Sequence, residues 1–118
     1  MPVTDLPALS DEVGKRGIIL IFAPSERAPA YEAQVRLLDE DLEAVETSNV
    51  LLVSVLTQGE SRIGERRIEP DEATRLQEAL SVEPDEFKIV VLGPDGSIVR
   101  RDDAPLRITA LLASSASS

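Results

Sequence analysis

The sequence predicts an α/β domain whose central mixed sheet of four strands is flanked by helices. Two continuous apolar runs, residues 17–24 and 49–56, are typical of strands that are covered on both faces. An apolar stripe at helical spacing lies between them, and strand–helix–strand predicts a right-handed βαβ unit. A glycine-containing turn between two further apolar segments predicts an antiparallel hairpin. We therefore expect the strand order 2-1-3-4, with the first two strands parallel and the last two antiparallel.

The first half of the chain gives an arm, a strand and a long helix. Residues 1–16 predict an N-terminal arm with a short helix, because their apolar side chains are spaced by three and four. Pro24 ends the first strand. Residues 29–46 predict one helix, with a single apolar stripe formed by Tyr31, Val35, Leu38, Leu42 and Val45.

The second half predicts a loop, a helix, a hairpin and a last helix. Residues 57–69 are polar and without a period, so we expect a loop, whose arginines and glutamates leave it formally neutral. Pro70 suits the first turn of a helix, with a buried stripe of Ala73, Leu76 and Leu80. Strands at residues 87–92 and 97–100 flank the turn. A last helix is expected from Pro105, with buried Leu106, Leu111 and Leu112, before a disordered tail at residues 114–118; the domain spans residues 17–113.

The missing residue types exclude most familiar site chemistry. The 118 residues include no cysteine and no histidine. Disulfides, thiol peroxidase activity, dithiol exchange and thiolate zinc sites are therefore excluded. Nucleophile pairs that depend on histidine and imidazole metal sites are excluded as well. We expect no metal and no cofactor, and acid–base chemistry would fall to carboxylates, Lys88 or Tyr31.

The net charge and the lengths of the apolar runs limit which classes of partner and which cellular locations are expected. Twelve basic and 22 acidic residues give a net charge of −10, which argues against nucleic-acid binding. No apolar run approaches the roughly 20 residues of a membrane span. The N-terminus lacks an apolar signal core, so a cytoplasmic location is expected, or a periplasmic or secreted one where a signal peptide has been removed.

Three segments carry a resemblance to a known family. They are the strand-to-loop segment IFAP, Tyr31 with Gln34 in the following helix, and VVLGPDGSIVRR near the end. Over residues 17–112 the chain resembles a thioredoxin-like, peroxiredoxin-related family of unknown function, the DUDES-type domain of bacterial proteins and some secreted animal matrix proteins. The resemblance implies a thioredoxin-like fold, in agreement with the order of the predicted elements.

The chain also departs from thioredoxins in ways that bear on activity. The place of the redox pair is held by Arg27-Ala28-Pro29-Ala30, which keeps a proline between the thiol positions but lacks both sulfurs. The place of the cis proline before the third strand is held by Lys88. The Met-Pro-Met-Arg-like ending of DUDES-type domains is replaced by serines. The resemblance therefore does not bring oxidoreductase activity with it.

A candidate site follows from the topology. Ligands of open α/β sheets bind beyond the carboxyl ends of the parallel strands, where the start of the next helix favours an anion. This rule selects, as candidate ligand-binding residues, Ser25, Glu26, Arg27, Thr57, Gln58 and Lys88.

Three functions remain open from the sequence. The first is a non-catalytic binding module for a protein partner or a small anionic ligand. The second is a structural module that associates with itself through the second strand at an open sheet edge, and we expect the chain to be a monomer or a homodimer. The third is a small hydrolase that uses carboxylates or Lys88 at the strand ends.

Overall fold

The computed structural model describes residues 16–47, 50–64, 66–93, 97–107 and 109–110. Its elements, in chain order, are β1 (Ile18–Ser25), α1 (Pro29–Glu40), α2 (Leu42–Thr47), β2 (Leu51–Gln58), β3 (Arg62–Ile63), β4 (Arg66–Arg67), α3 (Pro70–Ala79), β5 (Lys88–Leu92) and β6 (Ile98–Asp102). The described chain is thus α/β, as the sequence predicts.

The strands form one mixed sheet in the order β4-β3-β2-β1-β5-β6. β1 runs parallel to β2, and the other neighbouring pairs are antiparallel. The prediction of a four-stranded sheet is wrong, because β3 and β4 form a hairpin inside the stretch predicted as a loop. Strands of two residues are too short to leave an alternating pattern in the sequence. The four predicted strands lie side by side as β2-β1-β5-β6, and the short hairpin extends the sheet beyond β2.

The short hairpin also covers part of the edge that β2 was expected to expose. Val53 pairs with Ile63, and Ser54 pairs with Arg62. β2 is therefore an inner strand over these residues, and the open edge proposed for self-association is not where the sequence analysis placed it.

The core lies on both faces of β1, as its continuous apolarity predicts. Residues 18–23 are at most 1% exposed. Phe22 and its neighbours at every second position pack in one cluster with Leu76 and Leu80 of the α3 region. Ile19 and Ile21 pack in the other cluster, against Tyr31 and further side chains of α1 and α2. Burial on both faces makes β1 the centre of the domain.

The single helix predicted over residues 29–46 is in fact two helices. α1 ends at Glu40, and the backbone N–H of its C-cap residue, Asp41, donates to the carbonyls of Leu37 and Leu38 (3.3 and 3.2 Å). The break changes the phase of the next turn, so Leu42 is 49% exposed instead of completing the apolar stripe. The buried residue of α1 is Gln34. The stripe predicted for α3 is confirmed, since Ala73, Leu76 and Leu80 are all buried.

The C-terminal part agrees with the sequence in part. β5 and β6 form the expected antiparallel hairpin. Residues 105–107 have no regular structure and residues 109–110 are helical, so the helix does not begin at Pro105. Leu106, predicted to be a buried position of that helix, is partly buried against the α1 side of the sheet and lies in the irregular segment. The arm before residue 16, the turn at 94–96, Leu111 with Leu112, and the tail lie outside the described residues.

Candidate functional site

The predicted site residues lie along one end of the sheet, where β1 and β2 end and β5 begins. Ser25 and Gln58 are register partners at the carboxyl ends of β1 and β2. Lys88 begins the antiparallel strand β5 and pairs with Phe22 near the same end of β1. Glu26 and Arg27 continue from β1 into the turn that leads to α1, and both are exposed. The topology thus brings residues that are far apart in sequence to the same end of the sheet.

The start of α1 offers charge complementary to an anion. Its N-cap is Ala28, so no side chain caps the helix, and Pro29 occupies the first turn. The Ser25 hydroxyl accepts a hydrogen bond from the backbone N–H of Arg27 (3.3 Å), which orders the turn. Within the described part of the chain, the Arg27 guanidinium has no ion-pair partner. An exposed cation beside uncapped helix N–H groups attracts carboxylates and phosphates.

Two of the predicted site residues already have protein partners. The Thr57 hydroxyl donates to the Pro84 carbonyl (2.6 Å) and accepts from the Gln77 side-chain amide (2.8 Å). The Lys88 ammonium lies 3.5 Å from the Glu86 carboxylate and its side chain is 17% exposed. These contacts fasten the segment before β5 to the rest of the domain. They make Thr57 and Lys88 structural residues before any ligand is considered.

The Glu86 carboxylate is held in its charged form by the same segment. The backbone N–H of Glu83 donates to it (2.8 Å), and this hydrogen bond is the main reason that its pKa lies below the ordinary value. Desolvation opposes this shift, and the charges of Lys88 and Arg101, each a smaller effect than desolvation, lower the pKa further. The Glu86 carboxylate is therefore ionised at neutral pH.

Sequence reasoning missed a cleft of about 420 Å³ on the α3 side of the sheet. It lies between the end of β2, the β3–β4 hairpin and the first turns of α3. Of the predicted site residues, only Thr57 lines it. The cleft depends on a hairpin that the sequence does not reveal. One signal was present: Gln77 follows Ala73 by four residues and Leu76 by one, so a polar side chain stands on the buried side of α3.

An arginine pair fixes a glutamate at the rim of this cleft. Arg62 and Arg67 face each other across the hairpin, and the Glu60 carboxylate bridges them. One carboxylate oxygen accepts from Arg62 Nε (2.6 Å), and the other lies 2.7 Å from Arg67. The hydrogen bond from Arg62 lowers the pKa of Glu60, and the positive charges of both arginines add to this effect against desolvation. Glu60 thus offsets part of the positive charge of this stretch, which is a hairpin and not the predicted loop.

Two further classes of site can be assessed in the described residues. The described residues contain no group of three or more acidic, cysteine or histidine side chains placed to hold a metal ion. Over the same ranges, no helix has both the length and the apolar character that crossing a membrane requires. The peptide bonds described there are all trans, including the one before Lys88.

Comparison with known proteins gives a family and a fold. A family model described as "Domain of unknown function (DUF4174)" matches residues 8–114. Among curated proteins, none matches the sequence significantly.

Several solved structures resemble the domain. A reduced 2-Cys peroxiredoxin from Plasmodium vivax is 15% identical with a TM-score of 0.63, over 89% of this chain and 78% of that one. A putative electron transfer protein from Aquifex aeolicus VF5 is 12% identical with a TM-score of 0.62, over 92% and 85% of the two chains. A malarial protein is 18% identical with a TM-score of 0.55, over 85% and 93%. At these identities the likeness shows the fold alone, and that fold is thioredoxin-like.

Proposed function

The chain belongs to the DUF4174 family, and from that premise we propose that it is a thioredoxin-like domain that binds without catalysing. Its ligand is a protein partner or a small anion, recognised at the carboxyl ends of β1 and β2. The full sequence contains no cysteine, so the chain has no thiol for the exchange and peroxidase reactions that such folds support. What the scaffold retains is a helix start that faces the strand ends.

The observation that carries the proposal is the exposed Arg27 beside the uncapped start of α1. A guanidinium can bind a carboxylate or a phosphate through two parallel hydrogen bonds. Backbone N–H groups of the first helical turn can add donors from one side, and the helix dipole favours negative charge there. A small anion and an acidic side chain of a protein share this chemistry.

The same proposal includes the DUDES-type assignment within the family. The motif residue Gln34 supports it, because a fully buried glutamine that bonds the distant Leu106 backbone has a specific structural role. Tyr31 of the same motif packs against the sheet from α1.

The two alternatives have less support. A hydrolase that used Lys88 would need its amine free, whereas this amine is engaged by Glu86. Self-association through β2 would need an open edge, whereas β3 pairs with the middle of that strand.

Binding of anions can be tested by titrating the ¹⁵N-labelled protein with inorganic phosphate, succinate and a tri-glutamate peptide. We expect saturable amide shifts at Arg27, Ala30 and Tyr31. Loss of one charge-assisted hydrogen-bonding group in Arg27→Ala should weaken binding about tenfold. Arg36→Ala is the matched control, since Arg36 is exposed on the same helix away from its start. Equal binding by both variants would contradict the site.

A protein partner can be tested with the same pair of positions. Columns carrying the wild-type chain, Arg27→Glu and Arg36→Glu are exposed to the same cell extract. The proposal predicts a protein that the wild-type and Arg36→Glu columns retain and the Arg27→Glu column loses. A partner retained by all three columns would place recognition elsewhere on the domain.

A further inference from the structure

The cleft beside α3 has the size and the apolar floor of a small-molecule site. Its volume of about 420 Å³ falls in the range of about 300–1,000 Å³ that such sites occupy. Leu56, Ile68 and Ala73 line it and are 3%, 5% and 6% exposed. An apolar body placed here would be removed from water over much of its surface.

Most polar groups of the wall are already engaged. The Ser61 hydroxyl accepts from the backbone N–H of Leu56 (2.9 Å) and donates to the carbonyl of the same residue (3.3 Å). The Thr57 hydroxyl donates to the Pro84 carbonyl and accepts from Gln77. Both hydroxyls use their single proton within the protein. They shape the cleft without offering a donor to a ligand.

Two polar side chains of the wall keep unused groups: the exposed Thr74 hydroxyl and, more deeply placed, half of the Gln77 amide. Gln77 is 7% exposed and lines the cleft. Its Nε2 donates to Thr57, whereas its Oε1 accepts no hydrogen bond from any described residue. No fully enclosed side-chain nitrogen or oxygen in the described chain lacks a partner, so this oxygen is not fully enclosed, on a residue that lines the cleft. A buried acceptor of this kind gains most from a ligand that brings a donor.

The charged side chains that line the cleft, Glu60, Arg67 and Glu69, have both signs and already have partners in the protein, so they do not favour a ligand of one charge. Glu60 is neutralised by Arg62 and Arg67. In the capping box that begins α3, the Glu69 carboxylate accepts from the Glu72 backbone N–H, and the Glu72 carboxylate accepts from the Glu69 backbone N–H. We propose that this cleft binds an uncharged small molecule that has an apolar body and one hydrogen-bond donor, such as an alcohol, a phenol or an amide, and that the donor meets Gln77 Oε1.

The test compares probes that differ only in the donor. The ¹⁵N-labelled full chain is titrated with phenol and with anisole, in which a methyl group replaces the donor hydrogen. We expect saturable shifts of the Gly59 and Ser61 amides and of the Gln77 side-chain amide. Phenol should bind about fivefold or more tightly than anisole, as one hydrogen bond to a buried acceptor predicts. Benzoate and benzylammonium should bind more weakly than phenol.

Two variants and a control locate the site. Gln77→Leu should remove the preference for phenol over anisole. Thr74→Phe should fill the cleft and abolish binding, whereas Arg75→Phe, on the next and outward-facing position of α3, should not change it. If Thr74→Phe does not fold, the wild-type titration and Gln77→Leu still decide the matter.

Three results would overturn the proposal: no saturable shift with phenol, equal affinity for phenol and anisole in the wild type, or tighter binding of either charged probe. The test is independent of the anion site at α1, because Arg27→Ala should leave phenol binding unchanged. The failure of one site therefore says nothing about the other.

Discussion

Gln34 shows how a single polar residue can connect distant parts of this core. It is fully buried in α1, 72 positions before its partner. Its Nε2 donates to the Leu106 carbonyl and its Oε1 accepts from the Leu106 N–H, both at 2.9 Å. The amide thus pairs with the backbone as a neighbouring strand would. It fastens the segment after β6 to the helix.

Replacing Gln34 with an apolar residue should lower the free energy of unfolding by more than a polar-to-apolar change normally does. In Gln34→Leu, the Leu106 N–H and carbonyl lose their partners in a partly buried place. We expect a loss of about 2–3 kcal/mol in the free energy of unfolding, measured by urea titration. Gln58→Leu is the control: Gln58 is exposed, so the expected change is within about 0.5 kcal/mol. A Gln34→Leu protein as stable as the wild type would refute this role.

Ser81 is a residue whose backbone favours glycine. It follows α3 with a φ of 56°, in the left-handed region. The Val82 N–H donates to the Gln77 carbonyl (2.8 Å) and the Ser81 N–H to the Glu78 carbonyl (3.2 Å), which is the Schellman arrangement. Ser81→Gly should therefore raise the free energy of unfolding by about 1 kcal/mol in the same urea assay.

The control for this change lies two residues earlier. Ala79→Gly places the same new residue inside α3, where it should lower stability by about 1 kcal/mol. Destabilisation by Ser81→Gly would show that the left-handed conformation is not the native one.

At the scale of elements, the β3–β4 hairpin is where the observed fold differs most from the fold that the sequence predicts. It covers β2, forms one wall of the cleft and is held at its base by Glu60 between two arginines. The Glu60 contacts with Arg62 and Arg67 add to the pairing of its two-residue strands. The hairpin should therefore respond to pH through Glu60.

The pH dependence follows from the lowered pKa of Glu60. A carboxyl whose pKa is lower in the folded state contributes its full stabilisation above its unfolded value, near 4.5, and loses it as the pH falls through the folded value. We expect the wild type to melt above Glu60→Gln at neutral pH. The difference should shrink below pH 4.5 and vanish once the carboxyl is protonated, as thermal melts across this range can show.

The matched control is Glu43→Gln, because Glu43 is exposed on α2 and has no ion-pair partner in the described chain. Its melting difference from the wild type should not follow this pH profile. High salt should also reduce the Glu60 difference, since the pairs are exposed. A difference that is constant with pH would contradict the assignment.

The elements also show what the sequence could and could not predict. Continuous apolar runs and the stripe of α3 were read correctly, because burial of residues such as Phe22 and Leu76 follows directly from their pattern. The break at Asp41 was missed, since the apolar spacing continues across it. The order of the predicted elements alone was enough to assign the site residues to one end of the sheet. Their contacts, such as that of Lys88 with Glu86, depend on packing that no local pattern encodes.

At the scale of the whole molecule, a thioredoxin-like architecture is present without thiols. The resemblance to thioredoxins assigns residues 27–30, at the start of α1, to the place of the redox pair, and these residues contain a proline but no sulfur. The scaffold therefore separates two properties that usually occur together: the geometry of the helix start and the chemistry of the thiols.

Introducing two cysteines at residues 27 and 30 tests the geometry of the helix start. The double variant Arg27→Cys/Ala30→Cys should form an intramolecular disulfide in most molecules when it is treated with oxidised glutathione, as mass spectrometry can show. Arg36→Cys/Asp39→Cys has the same spacing inside α1, where Cβ atoms about 5–6 Å apart are too distant for an unstrained disulfide. Equal oxidation of both pairs, or none at residues 27 and 30, would contradict the placement of the helix start.

The most direct test of the binding proposal is a crystal structure of the wild-type chain grown with inorganic phosphate. The account predicts a phosphate within hydrogen-bond distance of the Arg27 guanidinium and of the first-turn N–H groups of α1. The same crystals of Arg27→Ala should lack it. A phosphate bound elsewhere, with the start of α1 left to solvent, would contradict the proposal that the strand ends form the recognition site.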